Sequence, residues 1–501
     1  MVRYVLTGLI LTAISFSVSS QSPKRANFWY FGEQAGLDFT QGHPVPLTDG
    51  AMKAFEGSAV MSDASGNLLF YTNGGDMPYN GGVWNRNHQL MPNGDLTGAG
   101  GCGSSFQSSL ILPHPRYEHL YYLFTTDCIE NGSAGGLRYS IIDMTLDEGL
   151  GDVSTKDVLL TTPVDESLTA IQHANGSDYW IVCHKLRTDS FYVYHLSMQG
   201  ISGLVKKKIG PVTPDYAGSL KASINGEKLV YSGLSFTALF DFNNSTGVIS
   251  NHVNLGIPSY SASFSPNCEL LYVADGVNKR LFQFEIIHHD IPTTKVQVGA
   301  TSSIGLGGMQ LGPDNRIYIA RFVTSNYLGV IMHPDLKGDD CIYVDDGIYL
   351  GGRQGKGGLP NFPNNMIGEC LSYPVENISD YSQFNLGMNN TGRNPFITEQ
   401  GNMHLPAEKT GEAAVMKEFN FSVFPNPAGA FTTVTIRTGA STPVDIFVME
   451  MSGKVLKEFN YNNISGAKEF RIPLDFLTNG IYNIAVETEE IHRVQKLIVL
   501  K

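Results

Sequence analysis

The stretch Ser223-Ile224-Asn225-Gly226-Glu227-Lys228-Leu229-Val230-Tyr231 reads as a tight turn on Asn-Gly followed by a strand that ends on an aromatic residue. Asn and Gly accept the positive φ of a short hairpin turn, and a Leu-Val-Tyr run suits a buried strand. The same order of polar turn and aromatic strand recurs at Ser62–Tyr71, His114–Tyr122, His173–Trp180, Ser265–Tyr272 and Gly312–Tyr318. Marked at Tyr71, Tyr122, Trp180, Tyr231, Tyr272 and Tyr318, the repeats step by 51, 58, 51, 41 and 46 residues. A period of about 40–50 residues with such turns predicts the four-stranded blades of a β-propeller. Asn27–Phe31 and Leu37–Phe39 at one end, with Leu328–Ile331 and Ile342–Val344 at the other, supply strands for a seventh blade of mixed origin. Six and eight are the neighbouring counts.

The composition agrees with an all-β exported protein. At 501 residues the chain is too long for one ordinary core. It is 42% apolar and 16% charged, too sparsely charged for a disordered chain, and its 54 glycines suit many turns. The net charge is −13, and the longest basic run is Lys206-Lys207-Lys208, a solvated strand end. Nucleic acid is excluded as a partner, because phosphate binding needs basic clusters. Residues 1–20 read as a signal peptide: Arg3 is the positive start, Val5–Val18 the apolar stretch, and Val18-Ser19-Ser20 a small-residue cleavage point. Export permits disulfides. The six cysteines are Cys102, Cys128, Cys183, Cys268, Cys341 and Cys370; sequence proximity favours Cys102 with Cys128 and Cys341 with Cys370. No CxxC occurs, so no metal site is expected.

The expected organisation is a propeller over 21–370, a linker over 371–412 where apolar periodicity fades, and a small β-sandwich over 413–501. The last region holds Phe424-Pro425-Asn426-Pro427, then Asn479-Gly480-Ile481-Tyr482, and ends on Lys496-Leu497-Ile498-Val499-Leu500-Lys501. That order resembles the type A C-terminal sorting domain of the Bacteroidetes type IX secretion system. The resemblance implies recognition by the secretion translocon and sortase, removal at the outer membrane, and attachment to lipopolysaccharide or release. Upstream, Trp29-Tyr30-Phe31-Gly32, Val83-Trp84-Asn85-Arg86-Asn87-His88 and Gly358-Leu359-Pro360-Asn361-Phe362 resemble secreted Bacteroidetes propellers of the quinoprotein-dehydrogenase-like and YVTN-like kind. That likeness implies a fold and no particular activity.

No catalytic motif stands out, and no cofactor is implied. His288-His289-Asp290 reads as a polar strand end, since neighbouring strand residues point to opposite faces. His173 and His184, flanking one strand, are a weak ligand pair. Asp147-Glu148, Asp165-Glu166, Asp339-Asp340 and Asp345-Asp346 sit among turn residues, where acids are ordinary; the last two pairs are the candidates for a calcium loop. Gly305-Leu306-Gly307-Gly308 opens no helix and cradles no phosphate. Aligning the strands before each turn puts Met61, Ile171, Lys221, Ser263 and Gln310 in register. Lys221 and Gln310 are the polar members, candidates to bind a ligand in the channel, and Trp84 is a candidate to stack on a sugar. A glycan- or protein-binding module is the expected function. A carbohydrate-active or quinoprotein-like enzyme, or a part of the secretion apparatus, is the alternative.

Overall fold

The computed structural model describes residues 24–276, 278–363, 366–368, 370, 419–424, 428, 430–450, 455–478, 480–488 and 492–499. The segments expected to be a signal peptide at 1–20 and a linker at 371–412, and the residues Pro425, Asn426, Pro427 and Asn479, lie outside them. The chain divides into two compact units, Met1–Gly387 and Met388–Lys501.

Seven antiparallel sheets follow one another in the first unit among the described residues, six of four strands and one of three. The six aromatic markers all fall on second strands: Leu68–Thr72, Leu120–Thr126, Tyr179–His184, Lys228–Gly233, Leu270–Asp275 and Ile317–Arg321. Neighbouring sheets meet through their first strands, which are Ala59–Ser62, Ser109–Pro113, Leu168–Gln172, Gly218–Ala222, Ser261–Phe264 and Leu306–Leu311. These inner strands are buried almost throughout, whereas last strands such as Leu90–Asp95 and Val248–Asn254 are largely exposed. The inner strands are buried on both faces, and their sequences are short and built largely from apolar and small residues, with Lys221 and Gln310 as exceptions.

The three-stranded sheet is Phe28–Phe31, Ala35–Asp38 and Val45–Leu47. It closes the ring: Trp29 lies edge-on to Tyr318 of the last four-stranded sheet at 5.4 Å and also contacts Phe362 at 6.1 Å. The far end of the unit returns here through an antiparallel bridge of Glu33 with Gln354 and a parallel bridge of Ser58 with Pro360. The strands expected to share a blade with the N-terminus, at 328–331 and 342–344, instead complete the last four-stranded sheet as Tyr327–Ile331 and Tyr343–Tyr349. Hairpin pairing with the preceding strand is the shorter connection.

Cys102 and Cys128 are joined, with Cα atoms 5.5 Å apart. The expected pairing of Cys341 with Cys370 is corrected: Cys370 bonds Cys268, 102 residues away, and Cys341 is a buried free thiol, as is Cys183. Ring closure brings the end of the propeller back to an earlier sheet, which overrides the short-loop preference.

In the second unit, Phe419–Phe424, Phe431–Glu450, Val455–Pro473, Gly480–Glu487 and His492–Val499 form the sandwich. Segments read as separate short strands are joined. Phe431–Glu450 and Val455–Pro473 pair along their length with register shifts between Thr438 and Val444, so each contributes to both halves. Val434, Ile436, Val444, Ile446 and Val448 alternate inward and meet Ile472, Ile484, Val486, Leu497 and Val499 in one core. The Tyr482 hydroxyl donates to the Thr478 carbonyl at 3.1 Å, bracing the turn before Gly480. Phe424 and Lys496 lie on strands of this sheet, Lys496 opposite Asn483.

Candidate site at the channel mouth

The inner strands all start at the same end of the ring, and the loops just before them converge there. At the axis, the backbone of 354–362 crosses between the strands. Gly308 N–H donates to the Gly357 carbonyl at 2.7 Å, and Asn361 N–H to the Ser58 carbonyl at 2.8 Å. A Cβ on Gly358 would come within 1.6 Å of the Glu56 carbonyl oxygen, so only glycine fits there. This close approach accounts for the glycines at 307–308 and 357–358.

Asn361 ties the ring together. Its Nδ2 donates to the Ser109 and Leu168 carbonyls at 3.3 and 3.0 Å. Gln107 spans neighbouring sheets: Oε1 accepts from Leu168 and Leu220 N–H at 2.9 and 2.7 Å, and Nε2 donates to the Leu220 carbonyl at 2.9 Å. Lys221 and Gln310 do project into the channel, but they hold each other: Lys221 Nζ donates to Gln310 Oε1 at 2.6 Å and to Asn361 Oδ1 at 3.3 Å. They are 5% and 1% exposed. Burial pulls the Lys221 ammonium down to about 7. The channel interior is thus filled by the protein's own chain. Trp84 stacks on Tyr71 at 5.9 Å and packs against the core of the closing sheets.

Above this plug opens a cavity of about 490 Å³, lined by the mouth loops. Its acids are Glu56, Glu130 and Glu166, and its rings are Phe55, Tyr216, Tyr260 and Phe322. Glu166 is 2% exposed, and its two oxygens accept from Phe106 and Ile129 N–H at 3.2 and 3.1 Å. The loop carrying it is braced by Asp165, which accepts from Ser167 Oγ at 2.5 Å and Tyr231 OH at 3.0 Å and bonds His184 Nδ1 at 2.8 Å. Glu56 is 9% exposed and accepts from the Tyr260 hydroxyl. The Tyr260 ring packs edge-on to Phe106 and Phe322 at 4.2 and 5.2 Å. The Cys102–Cys128 disulfide staples the loop of Ser104 to the loop of Glu130, and Ser104 Oγ donates to Glu130 Oε1 at 3.0 Å. Burial raises the Glu56 carboxyl to about 7, and burial with the nearby Glu56 charge raises Glu166 to about 9. Glu166 therefore keeps its proton at neutral pH and can donate it or a hydrogen bond, while Glu56 is divided between its two forms there.

None of the residues singled out from the sequence as ligand contacts lines this cavity, yet the register that found Lys221 points to it. Five residues upstream of Met61, Ile171, Lys221, Ser263 and Gln310 stand Glu56, Glu166, Tyr216, Pro258 and Gly305, and all five line the cavity. The other candidates are accounted for elsewhere. Asp345 and Asp346 pair with Arg321 at 2.9 and 2.7 Å. His288 bonds the backbone of Asp290 in an exposed turn. His173 stacks on Trp180 at one end of the strand Tyr179–His184, and His184 is buried at the other. A smaller cavity of about 170 Å³ at the opposite end of the ring is lined by turn backbone and amides, with His173 its one titratable side chain.

Residues 422–500 match the family described as secretion system C-terminal sorting domain. No functionally curated protein is significantly similar to this chain in sequence. Similar solved structures include the β-propeller domain of Cps50 (Swd1) from Myceliophteria thermophila, at 10% identity and TM-score 0.36, covering 59% of this chain and 93% of that one. The periplasmic gluconolactonase PpgL of Pseudomonas aeruginosa aligns at 11% identity and TM-score 0.34, covering 78% and 94%. Hsv2 of Kluyveromyces lactis aligns at 8% identity and TM-score 0.37, covering 61% and 92%. No described helix is long and apolar enough to cross a membrane. This chain is a β-propeller protein bearing a C-terminal sorting domain, exported by the type IX secretion system to the cell surface or beyond it.

Proposed function

We propose that the propeller is a binding module of a Bacteroidetes cell surface or secretome that seats a glycan or protein segment in the mouth cavity. The carrying observation is the cavity itself. Its volume falls within the range of about 300–1,000 Å³ typical of ligand sites. Its rim groups four exposed large apolar side chains, Tyr216, Leu234, Ile304 and Phe322, around one opening. Such a rim supplies contact area, and the buried acids supply orientation. Delivery runs through the signal peptide, then the sorting domain, whose removal by the sortase leaves the propeller released or attached to lipopolysaccharide. The test is retention of cells, glycans and surface proteins by the full exported chain. The expected result is saturable binding that Phe322→Ala and Tyr216→Ala weaken at least ten-fold without change in thermal stability. Equal binding by both variants would remove the cavity from the function.

A second reading, a carbohydrate-active enzyme, draws on the same acids. Burial raises both carboxyls and keeps Glu166 protonated at neutral pH, as a general acid requires. Release of reducing ends from a polysaccharide, abolished in Glu166→Gln, would establish it.

A further inference from the structure

The cavity's charge is lopsided. Its lining contains three glutamates and no lysine, arginine or histidine. Elsewhere buried acids are held either by a cation, as Asp314 by Arg316 at 3.0 Å, or by several N–H and O–H donors, as Asp215 by Ser235 N–H and Oγ and Asp275 by Asn278 N–H and Nδ2. Among the described residues no cation pairs with Glu56, Glu130 or Glu166. Lys356 lies against Phe55, with its Nζ 5.6 Å from that ring. It is held by Glu33 Oε1 and Tyr79 OH, both at 2.6 Å. Glu56 and Glu166 are both at least nine-tenths buried, and without a counter-charge burial favours their protonated forms; a cation seated among them would favour the ionised forms and release the protons to water.

The spacing argues against a bare metal ion. Among the described residues, the one group of three potential ligands within 4.8 Å is Cys102, Cys128 and Glu130, and its sulfurs are spent in a disulfide. The three carboxyls are too spread to wrap one ion, and they suit a larger cation with several N–H donors. The rim suits what lies behind such a cation. Ile304 is 64% exposed and Leu234 38%, aliphatic surface that fits the methylene stem of a long basic side chain. The Phe322 and Tyr216 rings offer faces to the cation on its way in.

Resting on the binding-module reading, we infer that the mouth cavity receives a lysine or arginine side chain of a partner protein, its charged head among Glu56, Glu130 and Glu166 and its stem against the apolar rim. The partner is thus a protein segment that presents an exposed basic residue.

The test is calorimetric titration of the full exported chain with four probes: N-acetyl-lysine methylamide, its arginine counterpart, the uncharged N-acetyl-norleucine methylamide, and glucosamine. The expected result is at least ten-fold tighter binding of the basic amino-acid probes than of norleucine. Phe322→Ala should weaken all amino-acid probes. Glu130→Gln, at an exposed position that leaves folding intact, should weaken only the charged ones, and 0.5 M salt should act in the same direction. If the norleucine probe binds equally well, dependent on Phe322 and indifferent to Glu130→Gln, the charge inference falls and the binding-module reading stands. Tighter binding of glucosamine, lost in Glu130→Gln, would move the ligand to cationic sugars and overturn the protein assignment. Failure of every probe to bind in a Phe322-dependent way overturns both.

Discussion

Replacing Glu166 by Gln tests the protonation of the cavity floor. Burial, reinforced by Glu56, raises this carboxyl from 4.5 to about 9. Above pH 4.5 the unfolded chain releases the proton and the folded chain keeps it. The folded state then binds more protons, so stability falls as pH rises, until the folded group itself ionises near pH 9. One proton is worth about 1.4 kcal/mol per pH unit, so this group removes on the order of 3 kcal/mol between about pH 5.5 and 7.5. Glutamine carries no such slope. It also offers one acceptor oxygen where Glu166 uses two, so either Phe106 or Ile129 N–H loses its partner. That offset is about 1–3 kcal/mol and independent of pH. The variant is therefore the less stable protein near pH 5, and the order reverses by pH 8. Urea unfolding at pH 5, 6, 7 and 8 measures this directly. Tryptophan fluorescence reports the propeller alone, because Trp29, Trp84 and Trp180 are the chain's three tryptophans. Glu56 titrates in both proteins, and because its charge acts on Glu166 the measured slope includes the coupling of the pair. A stability difference that stays flat across the range would refute the reasoning, since it would mean Glu166 ionises in the fold as it does in water.

Four further outcomes are expected. Gly358→Ala drives a methyl into the Glu56 carbonyl and should destabilise the propeller by about 1–3 kcal/mol in urea titrations. Trp29→Ala removes the fully buried ring that joins the first and last sheets and should cost about 3–5 kcal/mol by the same measurement. Peptide mapping without reduction should yield Cys102–Cys128 and Cys268–Cys370, with Cys183 and Cys341 alkylated only after unfolding, and Cys268→Ser should lower stability by about 2–5 kcal/mol. Deleting 421–501 should leave the protein in the periplasm of its host, read by fractionation and immunoblot; normal surface delivery of the truncated chain would count against the sorting role.

The propeller was legible because a blade is a local object. Each turn-and-strand repeat, such as Ser223–Tyr231, carries its own period and turn chemistry, and strands pair with their sequence neighbours. The sorting domain was legible because its motifs lie at fixed places in a short segment. The floor of the cavity was not. Asp165-Glu166 looked like an ordinary acidic turn, and only the ring places that turn beside Glu56 and Tyr260, 110 and 94 residues away. The register through Lys221 and Gln310 carried no sign that Asn361 would enter from more than fifty residues downstream of Gln310 and bond Lys221.

What the sequence determined by itself is therefore everything that depends on short range: the strands, the turns, the repeat, and the export address. Tertiary structure alone decided what depends on closure. It selected Cys268 over Cys341 as the partner of Cys370, filled the channel with 354–362, and gathered three glutamates from separate loops around one cavity. The physical reason is that a closed ring brings together residues a hundred or more positions apart, and burial then changes what those residues are. A surface glutamate is a charge. Glu166, walled in by Phe106, Ile129 and the Glu56 carboxyl, is a neutral acid facing a cavity that contains no cation of its own.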